Sequence, residues 1–287
     1  MEYLTLHNGV QMPLVGFGTF MLSEKTCTEA VALAIESGYR MIDTAQAYYN
    51  EAAVGRAWRA SGLAREELFL VTKVWISNAG DERAAKSIDE SLRKLETDYI
   101  DLLLIHQAFG DYYGAYRAMQ KALEAGKVRA IGLSNFVDAR FVDLVENMEV
   151  NPAVLQLETH VFSQQKRMRE LMAPYGTRLM AWAPLAEGRN GIFTHPTLMA
   201  IGAKYGKTAA QTALRFLMAE DVIAIPKSVH RERLVENFSI DDFELSAEDL
   251  DAIRALDGGK PMFADFNDPT LAKFLLEYDA KFNPERQ

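Results

Sequence analysis

Cysteine is nearly missing from this chain. Cys27 is the only one in 287 residues, so no internal disulfide forms and no cysteine cluster binds a metal. An excess of basic charge is missing as well. The net charge is −9, the opposite of what a phosphate-binding surface for nucleic acid requires. No apolar run approaches the ~18 residues of a membrane span. The opening residues Met-Glu-Tyr-Leu-Thr lack the basic and apolar regions of a secretory signal. The expectation from these absences is a soluble, cytoplasmic protein with no metal, no nucleic-acid partner and no membrane contact. A hydrophobic content of 49% is enough for a large core.

What is present is an alternation. Short apolar runs recur along the chain: LVGFGT (14–19), YRMIDT (39–44), LFLVTKV (68–74), YIDLLLIH (99–106), VRAIGLSN (128–135), AVLQLE (153–158), RLMAWAP (178–184) and VIAIPKS (222–228). Most are continuous rather than alternating in polarity, as in parallel strands covered on both faces. The segments between them carry helical spacing. Cys27, Ala30, Val31, Ala34 and Ile35 share one stripe, as do Phe141, Leu144, Val145 and Met148. Thr26 and Glu29 have the spacing of a capping box. Eight strand-helix units with no Gly/Pro/Ser-rich linker predict one closed (β/α)8 barrel, a single domain over residues 1–287. Residues 4–15, with Asn8-Gly9 in the middle, read as a hairpin that plugs the barrel floor. Residues 246–256 read as an extra helix. The tail from 258 to 287 carries Phe263, Phe266, Phe274, Tyr278 and Phe282, too many aromatics for a solvated linker, and is placed near the barrel mouth.

The exceptional polar residues fall at one end of these runs. Asp43, Lys73, His106 and Asn135 end the second to fifth, Gln156 and Glu158 the sixth, Trp182 the seventh and Lys227 the eighth. In a (β/α)8 barrel these C-terminal strand ends meet at one mouth, where active sites lie. Singly, each has a plain alternative: Asp43 as a helix cap, His106 as a satisfied core residue, Lys73 reaching solvent. Their coincidence at one rim favours chemistry. Tyr48 is a proton donor whose free pKa of ~10 is high for exchange at neutral pH, and an adjacent Lys73 ammonium is expected to lower it. Asp43 supplies the counter-charge that a buried Lys73 needs. His106 offers a second hydrogen-bond donor for a substrate oxygen. An acid beside an oxygen-orienting donor suits carbonyl reduction, with the hydride coming from a cofactor.

The eighth unit points to that cofactor. IPKSVHRERLVEN (225–237) gathers Lys227, His230, Arg231 and Arg233 in an otherwise acidic chain, with Ser228 at the expected helix start. GFGTF (16–20) is not a Rossmann fingerprint, because Met21 stands where the third glycine belongs. Trp182 offers a flat face to a nicotinamide, and Asn135 and Gln156, with Ser134 beside them, could bind its carboxamide. Two other functions fit parts of this pattern. A Schiff-base lyase would use Lys73 as nucleophile, although Asp43 would keep that amine protonated. A catalytically idle, cofactor-binding regulatory subunit would be signalled by loss of Tyr48 or Lys73, and both are present.

The chain resembles the aldo-keto reductase family from about Leu4 to Asn237, in its prokaryotic branch related to 2,5-diketo-D-gluconate reductases. GFGTF, IDTAQAYYNE, VTKVW, LLLIH, IGLSNF and IPKS…R…EN occur in the family's order. The resemblance implies a monomeric or loosely associated, NADPH-dependent reductase of aldehydes and ketones. It implies Asp43, Tyr48, Lys73 and His106 as the catalytic tetrad. For the cofactor it implies Gly18, Thr19, Ser134, Asn135, Gln156, Trp182, Leu185, Lys227, Ser228, Val229, Arg233, Glu236 and Asn237, with Asp43 against the nicotinamide ribose. Phe20, Trp75 and Phe109 are the expected pocket aromatics, beside Tyr48 and His106. The sequence departs from the family where HQAFG (106–110) replaces the common Trp-Pro after the histidine, which alters a pocket wall. Leu155 stands for a common Asn, and Trp182-Ala183 for Tyr-Ser, so a hydroxyl contact to the cofactor is lost.

Overall fold

The structure, a computed structural model, describes residues 1–282. Strands β1 (Tyr3–Thr5) and β2 (Gln11–Pro13) form an antiparallel hairpin. Its turn closes with the Leu6 N–H on the Val10 carbonyl, and Gly9 takes φ +84°, which glycine adopts without strain. Asn8 donates to the Arg129 carbonyl and His7 lies 3.2 Å from the Asn151 carbonyl. Both contacts are at the starts of barrel strands, so the hairpin covers the barrel floor as the sequence suggested.

Eight parallel strands follow: β3 (Phe17–Gly18), β4 (Met41–Asp43), β5 (Phe69–Val74), β6 (Ile100–Ile105), β7 (Val128–Ser134), β8 (Val154–Glu158), β9 (Arg178–Trp182) and β10 (Ile223–Ala224). Each pairs with its neighbour in chain order, and a parallel bridge between Val15 and Ala224 joins the last to the first. The sheet therefore closes into a (β/α)8 barrel. β3 and β10 are shorter than their apolar runs. Gly18 N–H already bonds the Pro226 carbonyl, and Pro226 has no N–H with which to continue the ladder.

The helices are α1 (Glu24–Glu36), α2 (Glu51–Ala60), α3 (Asp81–Lys94), α4 (Tyr112–Glu124), α5 (Ala139–Asn147), α6 (Lys166–Met172), α7 (Pro196–Tyr205), α8 (Ala209–Ala219), α9 (Arg231–Phe238), α10 (Ala247–Arg254) and α11 (Pro269–Phe282). The stripe predicted on α1 is the face that packs inward. Its start lies earlier than the expected Thr26–Glu29 box: Ser23 is the cap, and its hydroxyl accepts from the Thr26 N–H. α9 begins later than expected. Ser228 precedes it by a turn of chain and accepts from the His230 N–H instead of opening the helix.

The tail crosses the barrel mouth. Glu158, at the end of β8, accepts from the backbone N–H of Met262 and of Phe263, and also contacts His160 Nε2 at 3.2 Å. That is why a carboxylate can be buried there. Phe263 meets Trp182 edge-on at 5.7 Å, while the Arg189 guanidinium lies 4.4 Å from the Phe263 ring centre. Residues 283–287 of the predicted tail, and the Phe282 side chain, lie outside the described residues. No helix among the described residues is long and apolar enough to cross a membrane.

Close strand packing gives a test of the barrel. A Cβ at Gly132, in β7, would sit 2.3 Å from the Val154 carbonyl oxygen and 2.8 Å from a Leu104 methyl. The carbonyl belongs to the adjacent strand and cannot retreat without breaking the ladder. Gly132→Ala should cost about 1–3 kcal/mol, the range for overpacked cores, read as a lower urea midpoint at unchanged slope.

Candidate active site

The strand ends bring the predicted residues together. Asp43 closes β4 and Lys73 stands one residue before the end of β5, both facing inward and both essentially without solvent contact. Lys73 Nζ donates to Asp43 Oδ1 at 2.5 Å and to the Thr44 carbonyl at 2.9 Å. Its third bond, longer at 3.5 Å, goes to the Tyr48 hydroxyl. The other carboxylate oxygen of Asp43 accepts from Gln156 Nε2 at 2.9 Å. Tyr48 sits on a single 3-10 turn, Gln46–Tyr48. Gln46 fixes that turn: its Oε1 accepts from the Trp75 N–H and from Asn78, and its Nε2 donates to the Ser87 carbonyl and Ser91. Asn50 braces the turn's other side, linking Thr44 to the carbonyls of Thr19 and Leu22. Gln46 and Asn50 lie inside the motif that carried the resemblance, yet their bracing roles are long-range and invisible in sequence.

His106 follows β6 directly. Its ring meets Tyr48 at 5.5 Å and Trp75 at 5.0 Å between centres, both edge-to-face, and Phe20 lies 5.0 Å from Tyr48. These groups open into a cavity of about 700 Å³, within the usual range for ligand sites. Of the expected substrate contacts, Phe20, Tyr48, Trp75 and His106 line it, and Phe109 packs behind Trp75 and Ile76. Of the expected cofactor positions, Gly18, Asp43, Ser134, Asn135, Gln156, Trp182, Leu185, Lys227 and Arg233 line it. Thr19, Ser228, Val229, Glu236 and Asn237 do not. Glu236 accepts from the Thr208 hydroxyl, so its carboxylate is engaged toward α8. Gln107 lines the wall within HQAFG (106–110), where the departure after His106 was expected to alter it; Phe193 and Leu275 were not foreseen, and the named aromatics Phe266, Phe274 and Tyr278 come from the tail.

Burial dominates the electrostatics. Desolvation, then the Asp43 carboxylate, raises the Tyr48 phenol well above its ordinary value. This reverses the expected lowering by Lys73: a phenolate beside an anion in a desolvated mouth is the costlier form. Burial also draws Lys73 below the usual lysine value, opposed first by the Asp43 charge. Desolvation, then the Lys73 charge, pushes His106 well below the usual imidazole range, so it is neutral at physiological pH.

The cavity also fits a nicotinamide cofactor. The Ser134 hydroxyl oxygen is buried with no hydrogen-bond partner among the described residues, as a carboxamide-binding group would be. Asn135 is already engaged, accepting from Trp182 Nε1 at 2.9 Å and donating to the His106 carbonyl, and so holds the indole in place. At the other end, Arg233 is exposed and makes no ion pair among the described residues, whereas Arg231 is held by Glu36. Among the described residues Lys227 Nζ donates only to the Phe20 carbonyl and makes no ion pair. Two cations without carboxylate partners suit a phosphate.

The sequence profile of the Aldo/keto reductase family matches residues 14–258. The chain belongs to that family. It is 43% identical to the glyoxal reductase of Bacillus subtilis over 257 residues, 89% of this chain and 92% of that one. An aldo-keto reductase from a Medee basin deep-sea metagenome library superposes with a TM-score of 0.90 at 40% identity, covering 92% of this chain and 98% of the other. The Bombyx mori aldo-keto reductase, solved in complex with NADP, gives a TM-score of 0.86 at 33% identity over 93% of this chain and 97% of that one. As a member, the protein is an NADPH-dependent oxidoreductase acting on small aldehyde and ketone carbonyls.

The neutrality of His106 has a measurable consequence. In the unfolded chain His106 titrates near 6.5 and binds a proton below it, while the folded side chain stays neutral. The unfolded state then holds more protons, so stability is lost as pH falls from about 6.5 toward the folded value. One such group contributes a slope of up to ~1.4 kcal/mol per pH unit. His106→Gln should therefore lose stability less steeply than the parent between pH 6.5 and 5 in urea titrations. Parallel slopes would show that folding does not shift His106 and would overturn its neutrality across that range.

Proposed function

We propose that Tyr48 is the general acid of carbonyl reduction, His106 orients the substrate oxygen, and Asp43 and Lys73 position and polarise the phenol. The observation that carries this reading is the chain of contacts from Asp43 through Lys73 to the Tyr48 hydroxyl at the base of the cavity. When bound, NADPH supplies the hydride. The protein's part is to hold a carbonyl oxygen between two neutral donors, the phenol and the imidazole, and to deliver a proton from Tyr48 as negative charge develops there. The raised phenol keeps that proton loaded across the neutral range. Tyr49, the neighbouring phenol, is turned outward and exposed, which argues against it as the acid.

In the same reading Ser134 and Gln156 hold the carboxamide, Trp182 stacks on the ring, and Lys227 and Arg233 take the phosphate that distinguishes NADPH from NADH. Thr19, Ser228, Val229, Glu236 and Asn237 then serve a part of the cofactor beyond the cavity. We further read residues 1–287 as one domain, acting as a cytoplasmic monomer without nucleic acid. The net charge of −9 supports the last point. A Schiff base at Lys73 has no support, because its amine is saturated by Asp43, Thr44 and Tyr48.

Tyr48→Phe should lower turnover by about 10²–10⁴-fold, the usual share of general acid catalysis, with NADPH affinity nearly retained. Single-turnover hydride transfer followed by NADPH absorbance is the measurement, and a near-parental rate would exclude Tyr48. Arg233→Ala should weaken NADPH by about tenfold to a hundredfold, the worth of one charge-assisted hydrogen bond, and NADH far less. Equal weakening of both, by fluorescence titration, would mean that Arg233 does not contact the distinguishing phosphate.

A further inference from the structure

Gln107 is a polar group of the cavity wall that the protein itself leaves unused. It follows His106 directly, at the point where the sequence departs from the Trp-Pro common in the family. It is only 8% exposed and lines the cavity, yet its side-chain amide has no hydrogen-bond partner among the described residues, and its Oε1 is shut off from solvent. Only its backbone carbonyl is engaged, by the Phe109 N–H. The same cavity is lined by the apolar side chains Phe20, Trp75, Phe266, Phe274 and Leu275, which offer the amide no partner. A buried amide without partners is costly, and in native proteins nearly all such groups are satisfied. A ligand in the cavity can complete this one.

We propose that Gln107 is a specificity-determining residue whose amide pairs with an oxygen on the carbon next to the reacting carbonyl. The inference rests on the reading above in which Tyr48 and His106 hold the reacting oxygen. Gln107 lines the same cavity as Tyr48 and His106, one residue from the group that holds the reacting oxygen. Nε2 is the amide atom not shut off from the cavity, so it can donate to a 2-oxo oxygen or to the oxygen of a 2-hydroxyl. The reaction is unchanged: hydride from NADPH goes to the carbonyl carbon, the Tyr48 proton goes to its oxygen, and the products are the alcohol and NADP⁺. The 2-oxygen is neither oxidised nor reduced. A site with a committed polar partner rejects substrates that lack it, because the amide is then left unpaired.

Three aldehydes of one carbon skeleton test this: propanal, 2-hydroxypropanal and methylglyoxal. In the parent enzyme kcat/KM for 2-hydroxypropanal should exceed that for propanal at least ~10-fold, the value of a good hydrogen bond; parity or the reverse order overturns the proposal. Gln107→Met keeps the unbranched stem, and Gln107→Leu is a second apolar replacement. In both, the ratios of 2-hydroxypropanal and methylglyoxal to propanal should fall about tenfold or more. Comparing ratios between enzymes cancels the intrinsic reactivity of each aldehyde, and a general packing defect would lower all three rates together. Unchanged ratios in variants that still bind NADPH overturn the proposal. Tyr48→Phe, run alongside with methylglyoxal, separates the two readings: full turnover there sinks the general-acid assignment, whereas flat ratios with a dead Tyr48→Phe enzyme sink only the role of Gln107.

Discussion

The site depends on one buried ion pair. Moving an ammonium and a carboxylate out of water costs more than their attraction returns unless further hydrogen bonds complete both groups. Here they do. All three protons of Lys73 have acceptors, and Asp43 uses one oxygen for Lys73 and the other for Gln156. Because those residues sit on β4, β5 and β8, satisfying the pair also fixes three strand ends relative to one another. The geometry of the Asp43–Lys73–Gln156 cluster is thus set by the barrel framework, which favours precision, while Tyr48 reaches it from the braced turn Gln46–Tyr48.

That desolvated mouth also sets the protonation states. The same burial that draws Lys73 down raises Tyr48 and lowers His106. The result is a pair of neutral donors beside a charged pair that is already neutralised. In the proposed mechanism, negative charge building on a substrate oxygen meets donors fixed in advance, with little solvent to reorganise.

Much of this was legible in the sequence because polar residues at the ends of apolar runs are conspicuous. Asp43, Lys73, His106, Gln156 and Trp182 all stood out in that way, and the alternation of runs and stripes implied the barrel. Local signals did less well where two neighbours competed. Ser23 caps α1 although Thr26–Glu29 had the better spacing, and α9 opens after Ser228. Long-range contacts were not legible at all. Glu158 looked like a mouth residue, but its carboxylate holds the backbone of Met262 and Phe263 more than a hundred residues away. The tail's aromatics were visible as a composition; that Phe266, Phe274 and Tyr278 wall the cavity follows from that anchor and from contacts such as Arg140 donating to the Phe266 carbonyl. The sign of the Tyr48 shift was missed because a one-dimensional reading weighs a neighbouring charge but not the loss of water.

The short strands at the barrel seam have a consequence for dynamics. β3 and β10 contribute two residues each, and the seam between them is held by the Val15–Ala224 bridge with backbone hydrogen bonds from Ala224 N–H to Leu14, Gly16 N–H to Ala224 and Gly18 N–H to Pro226. Local opening, as amide exchange would detect it, is cheapest where few buried hydrogen bonds must break. Gly18 and Phe20 lie on one side of that seam, and Lys227 and Arg233 on the other. A ligand gripping both sides acts as a clasp, so occupancy adds to the cohesion of the closed ring as well as loading the site.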